Sequence, residues 1–373
     1  MKNTIGIIGY NGEIGRILTK ILLDKGYQVK GGQRNKSENF SDYSNFEYKK
    51  LDIYDNNQLK DFCFSCDAVV NCVGPAYTIK NKIKKAVSNS SILYIDFSEY
   101  LYSEYKKDKN RFLNDVSIIA AGFIPGLLGV ILDTVINCDF DKVSEINGVQ
   151  ITSQVCSLNA FIDVLLSSSI NGLTDVRISN NKVEKFKINE FEEFRISQYE
   201  KIIYLKPYIS DEILDICESK KIPELTWYNA TIHKENLNLL LKLYSLLFHD
   251  KKDINYEVVK EYYGYFLKQE DICNTEPVIY IDIKGEKNQE KVRKRYIINI
   301  ENGYQTCGIF AAKLVEICCS KKIENGLYWA KDFFTYNGIS EINTDFNSEV
   351  VYGYDIEYDS ESMTDTQYES NFI

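Results

Sequence analysis

Three groups of residues in this 373-residue chain are of types and spacings that could do chemistry. The first is Gly9-Tyr10-Asn11-Gly12-Glu13-Ile14-Gly15, a G-x-x-G-x-x-G run. After a strand and opening a helix, such a run suits anion binding. Gly9 permits the tight turn, Gly12 a close approach of backbone to a pyrophosphate, and Gly15 a close contact of helix and sheet. The free N–H groups and dipole of the helix N-terminus then favour phosphate. Glycines also make plain turns, so the flanking elements decide the reading.

The second group is Gly31-Gly32-Gln33-Arg34-Asn35-Lys36. An NAD site usually has an acid about 20 residues beyond the glycines, holding the ribose hydroxyls. None is present here, and Arg34 with Asn35 and Lys36 is able to clasp a 2′-phosphate, with Gln33 beside them as a cofactor contact, so NADP(H) is expected over NAD. The plainer alternative is a solvated, charged loop. Asp52-Ile53 follows the next strand and either flanks the adenine or simply ends the strand.

The third group is Asp96, Ser98 and Glu99, a polar cluster at a strand end. A carboxylate raised in pKa by burial beside a cofactor can act as a proton donor. Alternatively Ser98 caps a helix and the acids are solvated. His233, after a strand near 226–232, is a further proton donor candidate, although a lone histidine is more often structural. Arg177, Arg195 and Lys206 are able to bind a substrate carboxylate, but nothing ranks them above other charges. Cys63-x-x-Cys66 lacks a second pair or a close histidine, since the two histidines are His233 and His249, so neither a metal site nor redox chemistry is expected.

The elements that must position these residues fall into two patterns. Up to about residue 135, strand-like segments at 4–9, 27–31, 46–51, 67–72, 92–96 and 116–121 alternate with helical stretches at 14–22, 56–64 and 79–88. That alternation predicts a parallel sheet with crossover helices. A helix over 126–136 follows. Next come strands at 144–154, 174–188, 194–206 and 226–232, with helices at 158–170, 210–219 and 237–248. Strands at 278–284 and 296–300 and a helix at 307–319 complete the pattern. The fold class expected is therefore α/β, a Rossmann-type domain over 1–135 with an inserted α+β domain over 136–303. Residues 304–344 return to the first domain, and 345–373 form an acidic tail. The inserted domain is assigned to substrate binding and homodimer formation.

Composition narrows the partners. Hydrophobic residues at 44% and charged residues at 26% suit a globular protein with a real core. Residues 341–373 hold nine acids and no Lys or Arg, so they account for all but −1 of the net charge of −10. A nearly neutral body lacks the basic field that nucleic-acid binding needs. No apolar run approaches the roughly 20 residues that span a bilayer, so no membrane partner is expected. The chain opens on a strand without a charged-then-apolar leader, and a cytoplasmic protein with reduced thiols is expected.

Three later segments are more specific than the glycines. Val69-Val70-Asn71-Cys72-Val73-Gly74-Pro75-Ala76-Tyr77, Leu93-Tyr94-Ile95-Asp96-Phe97-Ser98-Glu99 and Ala120-Ala121-Gly122-Phe123-Ile124-Pro125-Gly126-Leu127 follow in order. Together they resemble the saccharopine dehydrogenase-like NAD(P)-dependent reductase family. Gly303 to Ala312 with Gly326-Leu327 looks like that family's returning helix. On their own terms, Cys72, Val73 and Gly74 set a rigid backbone beside a cofactor ribose or end a strand, and Phe123 packs on a nicotinamide or into the core. The resemblance places the active site beside Asp96, Ser98 and Glu99, although Tyr100 stands where relatives often carry a small or acidic residue. It implies NADPH-dependent hydride transfer to an imine C=N bond, or a related C=C bond, of an amino-acid-derived or secondary-metabolite small molecule, free or carrier-bound. The rival is a non-catalytic NADP-binding sensor or scaffold.

Overall fold

The computed structural model describes residues 3–36, 39–151, 156–170, 173–189, 192–196, 199–248, 255–268, 278–300 and 302–335. The acidic tail at 345–373 and His249 lie outside the described residues. The chain divides into two units, one of Met1–Val135 with the stretch from Asn302, the other Ile136–Glu301.

The first unit is a seven-stranded sheet. Its elements are β1 (Thr4–Ile8), α1 (Glu13–Asp24), β2 (Gln28–Gln33), β3 (Phe46–Lys50), α2 (Asn56–Phe64), β4 (Ala68–Asn71), α3 (Ala76–Ile79), α4 (Lys82–Val87), β5 (Leu93–Asp96), α5 (Tyr100–Lys107) and β6 (Val116–Ile119). After α6 (Leu127–Asp139) leads out of the unit, α11 (Gly303–Cys319) and β15 (Gly326–Trp329) bring the chain back. The strand order is β15-β6-β5-β4-β1-β2-β3, and every pairing is parallel. Crossover helices cover both faces of such a sheet, which is why β4 and β5 are buried at every residue while the edge strand β3 is largely open. The returning α11 packs along α1, where Gly308 lets its backbone approach Ile17 and Leu18.

The second unit is a mixed sheet. It contains β7 (Lys142–Ile151), α7 (Leu158–Ile170), β8 (Val176–Ser179), β9 (Lys182–Lys185), β10 (Phe194–Ile196), β11 (Tyr199–Pro207), α8 (Asp211–Lys220), β12 (Glu224–Thr231), α9 (Lys234–Phe248), α10 (Tyr256–Leu267), β13 (Val278–Lys287) and β14 (Glu290–Asn299). The main order is β10-β11-β12-β7-β13-β14, with β8 against β12 and β9 against β8. Within it β7 and β12 are parallel and the remaining pairs antiparallel. One face packs a core of Val149, Ile151, Ile203, Leu205, Tyr228 and Tyr280. Toward the other end of that face the carboxylate of buried Asp282 receives Arg293 Nε at 2.7 Å and Arg295 Nε at 2.6 Å.

Two single strands expected from sequence are hairpins instead. The stretch 174–188 folds as β8 and β9 around Asn180 and Asn181, both at positive φ (50° and 60°), the geometry that lets a two-residue turn follow strand twist. Similarly, 194–206 divides into β10 and β11. The helix expected over 79–88 is split into α3 and α4, with Lys80 at φ 58° between them.

Candidate functional site

A parallel sheet collects the carboxyl ends of its strands along one edge, and ligands bind there, at the point where strand order reverses. In the first unit that point lies between β1 and β4. The Gly9 turn follows β1 and Cys72-Val73-Gly74 follows β4, so the two loops meet: a side chain on Gly9 would run into the Val73 methyl and the Cys72 carbonyl. Gln33, Arg34 and Asn35 end β2, and Asp52 and Ile53 follow β3. Asp96, Ser98 and Glu99 end β5, and Phe123 lies just after β6. The fold thus brings every candidate residue of the first unit to one edge. His233 is in the second unit, between β12 and α9.

The glycine turn has the geometry its spacing implies. Gly9 has φ 85°, and its N–H donates to the Gly32 carbonyl at 2.9 Å. A Cβ at Gly15 would overlap the Gly9 carbonyl oxygen, so only glycine lets α1 start this close to β1. Gly12 differs. It is exposed at the N-cap of α1, no side-chain cap satisfies that end, and a Cβ there would meet only the Gly9 carbonyl oxygen, at 3.4 Å. Free N–H groups beside an unfilled, exposed glycine are what a pyrophosphate needs. Glu13 is exposed and paired with Arg16 at 2.7 Å. Tyr10 faces inward, fully buried among Phe40, Phe46 and Tyr48, so it offers the edge only its backbone.

The β2 end is tied to this turn. Asn11 N–H donates to Gln33 Oε1 at 3.1 Å, Asn39 Nδ2 to Asn11 Oδ1 at 2.7 Å, and the Tyr48 hydroxyl to the Gln33 carbonyl at 3.2 Å. Arg34, Asn35 and Lys36 are exposed beyond it, and no described acid pairs with Arg34. Asp52 accepts the Tyr54 N–H at 2.9 Å, closing its own turn.

Asp96 is the centre of the β5 end. The residue is 4% exposed, and its carboxylate accepts four hydrogen bonds: from Asn71 Nδ2 at 2.9 Å, Tyr94 OH at 2.6 Å, Ser98 N–H at 2.8 Å and Ser98 Oγ at 2.7 Å. That fills a carboxylate's capacity, so the group orients Asn71, Tyr94 and Ser98. Burial together with the Asp96 charge pushes the Tyr94 hydroxyl well above its ordinary pKa, keeping it a donor. Glu99 is also buried, at the start of α5. The network reaches the β4 loop through Asn71, whose Oδ1 accepts the Val73 N–H at 3.0 Å. Asn71 and Tyr94 carry this arrangement, and the sequence reading gave neither a role. Asn71 had one signal, a polar side chain at the end of a strand otherwise buried and apolar, whereas Tyr94 lies inside its strand.

Phe123 is buried, its N–H donating to Cys307 Sγ at 3.2 Å. Desolvation pushes the Cys307 thiol up to about 12 and the Cys72 thiol higher still. Cys63 and Cys66 are buried beneath β1, raised by burial to about 12 and about 11. Thiols so far from ionisation are poor nucleophiles. Among the described residues no group of three or more His, Cys, Asp and Glu is placed to hold a metal ion, and no helix is long and apolar enough to cross a membrane.

Among solved structures, the chain is similar to saccharopine dehydrogenase (L-Glu forming) from Saccharomyces cerevisiae, with TM-score 0.63, 11% identity and coverage of 94% of this chain and 99% of that one. The chain has the saccharopine dehydrogenase fold. The saccharopine dehydrogenase-like resemblance of the Cys72 to Pro75, Asp96 to Glu99 and Phe123 to Gly126 segments thus extends, as architecture, over the α+β unit that those segments do not reach. The DAP dehydrogenase of C. glutamicum in complex with DAP aligns at 12% identity over 89% of this chain and 94% of that one, with TM-score 0.46, too low to carry an argument. Residues 5–92 match the model of the NAD dependent epimerase/dehydratase family, which covers the glycine turn and the β4 loop. No curated protein matches the chain.

Proposed function

We propose that this protein is an NADPH-dependent reductase that delivers hydride to a C=N bond, or a related C=C bond, of an amino-acid-derived small molecule. The observation that carries the reading is the first unit's edge. Gly15 closes α1 onto β1, Gly12 leaves the helix N-terminus open, and the β2 end offers Arg34 and no acid. The pyrophosphate would lie on the N–H groups of the Gly9–Gly15 turn, and the adenosine 2′-phosphate against Arg34 and Asn35. Gly74 and the Asn71-held Val73 backbone would border the ribose, with Asp96 fixing that loop relative to β5. The cofactor supplies the hydride, and the protein supplies orientation and exclusion of water. The family-model match over 5–92 and the full-length likeness to a saccharopine dehydrogenase support a nicotinamide-dependent oxidoreductase of this kind.

A second reading, an NADP-binding sensor without turnover, draws on the saturated hydrogen bonding of Asp96. The two separate in one assay. NADPH is incubated with the protein and a panel of 2-oxo acid and amine pairs and cyclic imines, and its consumption is followed. The reductase reading expects consumption with at least one member. Tight NADPH binding with no consumption by any of them selects the sensor.

A further inference from the structure

We propose that the acidic C-terminal segment 352–359 of this chain docks as an added strand on β14, the edge strand of the second unit's sheet. The proposal is independent of the function above.

Among the described residues β14 pairs with β13 and with no other strand. Every second residue of the ten from Glu290 to Asn299 therefore turns its N–H and C=O away from that partner. Native sheets cover or blunt such an edge, because it templates pairing with any strand that meets it. Lys291, Arg293 and Arg295 alternate along the edge on the face that carries Asp282, whose carboxylate receives both guanidinium groups. These four side chains sum to +2. The other face holds Val292, Lys294, Tyr296 and Ile298, and Lys294 Nζ and the Tyr296 hydroxyl both reach Asp139, at 3.0 and 2.6 Å. Along the whole strand four bases against Glu290 give a charge of +3.

The occupant is read from the chain's own C-terminus. Residues 352–359 are Tyr-Gly-Tyr-Asp-Ile-Glu-Tyr-Asp, so Tyr352, Tyr354, Ile356 and Tyr358 alternate strictly with Gly353, Asp355, Glu357 and Asp359. A period of two is the pattern of a strand with one apolar and one charged face, and aromatic and β-branched residues favour strands. The segment's three acids and no base give −3, equal and opposite to β14. Laid along the edge, the acid row meets Lys291, Arg293 and Arg295 while the aromatic row meets Val292, Tyr296 and Ile298. A slip of one residue would set acids against the apolar row, so the two patterns select one parity of register. Main-chain bonds would supply the affinity, and the alternating rows the specificity. The 16 residues 336–351 tether the segment to Thr335 and extend to about 55 Å. Such a tether presents the segment at roughly millimolar effective concentration, which favours the chain's own tail over that of a second copy.

Hydrogen exchange of the full-length protein, read by mass spectrometry, tests this. Amides of 352–359 should exchange at least about tenfold more slowly than in a free peptide of the same sequence, and equally so after a dilution of about fiftyfold. Asp355→Asn/Glu357→Gln/Asp359→Asn and, separately, Lys291→Glu at the exposed start of β14 should each cut that protection about threefold or more. In both variants the amides of β12, in the middle of the sheet, should keep the parent rates, which shows the fold intact. Exchange of 352–359 at the free-peptide rate overturns the proposal, as does protection that either charge variant leaves unchanged. Protection that falls on dilution overturns it too, and assigns the edge to a second copy of the chain.

Discussion

The two carboxyl edges of this molecule use the same architecture to opposite ends. At the β4 and β5 edge of the first unit the polar groups are engaged with one another, with four donors converging on Asp96. At the β7 and β12 edge of the second unit, Asn229, His233 and Asn236 leave buried atoms unpaired. A filled network fixes the shape of a site, whereas unpaired buried polar atoms cost stability. The glycine turn stands between these cases, because its groups are backbone and its vacancy is the missing side chain of Gly12.

The largest effect should come from the turn itself. Gly15→Ala puts a methyl into the Gly9 carbonyl and should both destabilise the fold by about 3 kcal/mol and abolish NADPH binding. Gly12→Ala has room in the fold, so stability should change by no more than about 0.5 kcal/mol while binding falls at least about a hundredfold. Urea melts beside fluorescence titration separate the two. Equal binding loss with equal destabilisation would remove Gly12 from the phosphate site.

The contrast between the edges is tested by removing one polar group from each. Asp96→Ala strands Asn71, Tyr94 and Ser98 and should cost about 3 kcal/mol in urea denaturation. Asn236→Leu removes an unpaired atom and should be neutral or slightly stabilising in the same assay. If both substitutions destabilise alike, the distinction between a filled and an unfilled edge fails. Next in size, Arg34→Ala should weaken NADPH binding about tenfold and leave NADH binding within about twofold. An equal effect on both would end the 2′-phosphate assignment.

The smallest effect concerns pH. Cys63 and Cys66, with ordinary thiol values of 9.0, are raised by burial to about 12 and about 11. Between these limits the unfolded chain has lost the thiol protons and the native one keeps them. Their contribution to stability is therefore complete below pH 9 and is lost as pH rises toward 11 to 12. Cys63→Ala/Cys66→Ala should flatten the alkaline limb of the stability profile. At pH 8, thiol alkylation should reach exposed Cys138 before either buried thiol, as peptide mapping would show.

Much of the first unit was legible because its signals are local. The bounds of α2 fell where expected, since Asp55 caps Asn57 and Gln58 and apolar positions keep helical spacing after it. Strands β1, β4, β5 and β6 were readable as short, mainly apolar runs between turns. β15 was missed because Gly326 to Trp329 carries no alternation and is a strand only by pairing with β6. α5 and α10, both rich in tyrosine, were also missed. Among site residues, the glycines were readable because their role is backbone geometry. The roles of Asn71 and Tyr94 depend on partners that only folding reveals. The hairpin at Asn180-Asn181 did carry a signal, two adjacent residues tolerant of positive φ, which was outweighed by the polar run around it.

The proposed function stands on nicotinamide dinucleotide binding at the Gly9 to Gly15 turn with preference for the 2′-phosphate. Fluorescence titration of the full-length protein with NADPH and NADH, run in parallel on Gly12→Ala, tests it most directly. Saturable NADPH binding, NADH binding at least about tenfold weaker, and loss of both in the substituted protein are expected. Binding of neither dinucleotide by the parent, or unchanged binding by Gly12→Ala, would contradict it.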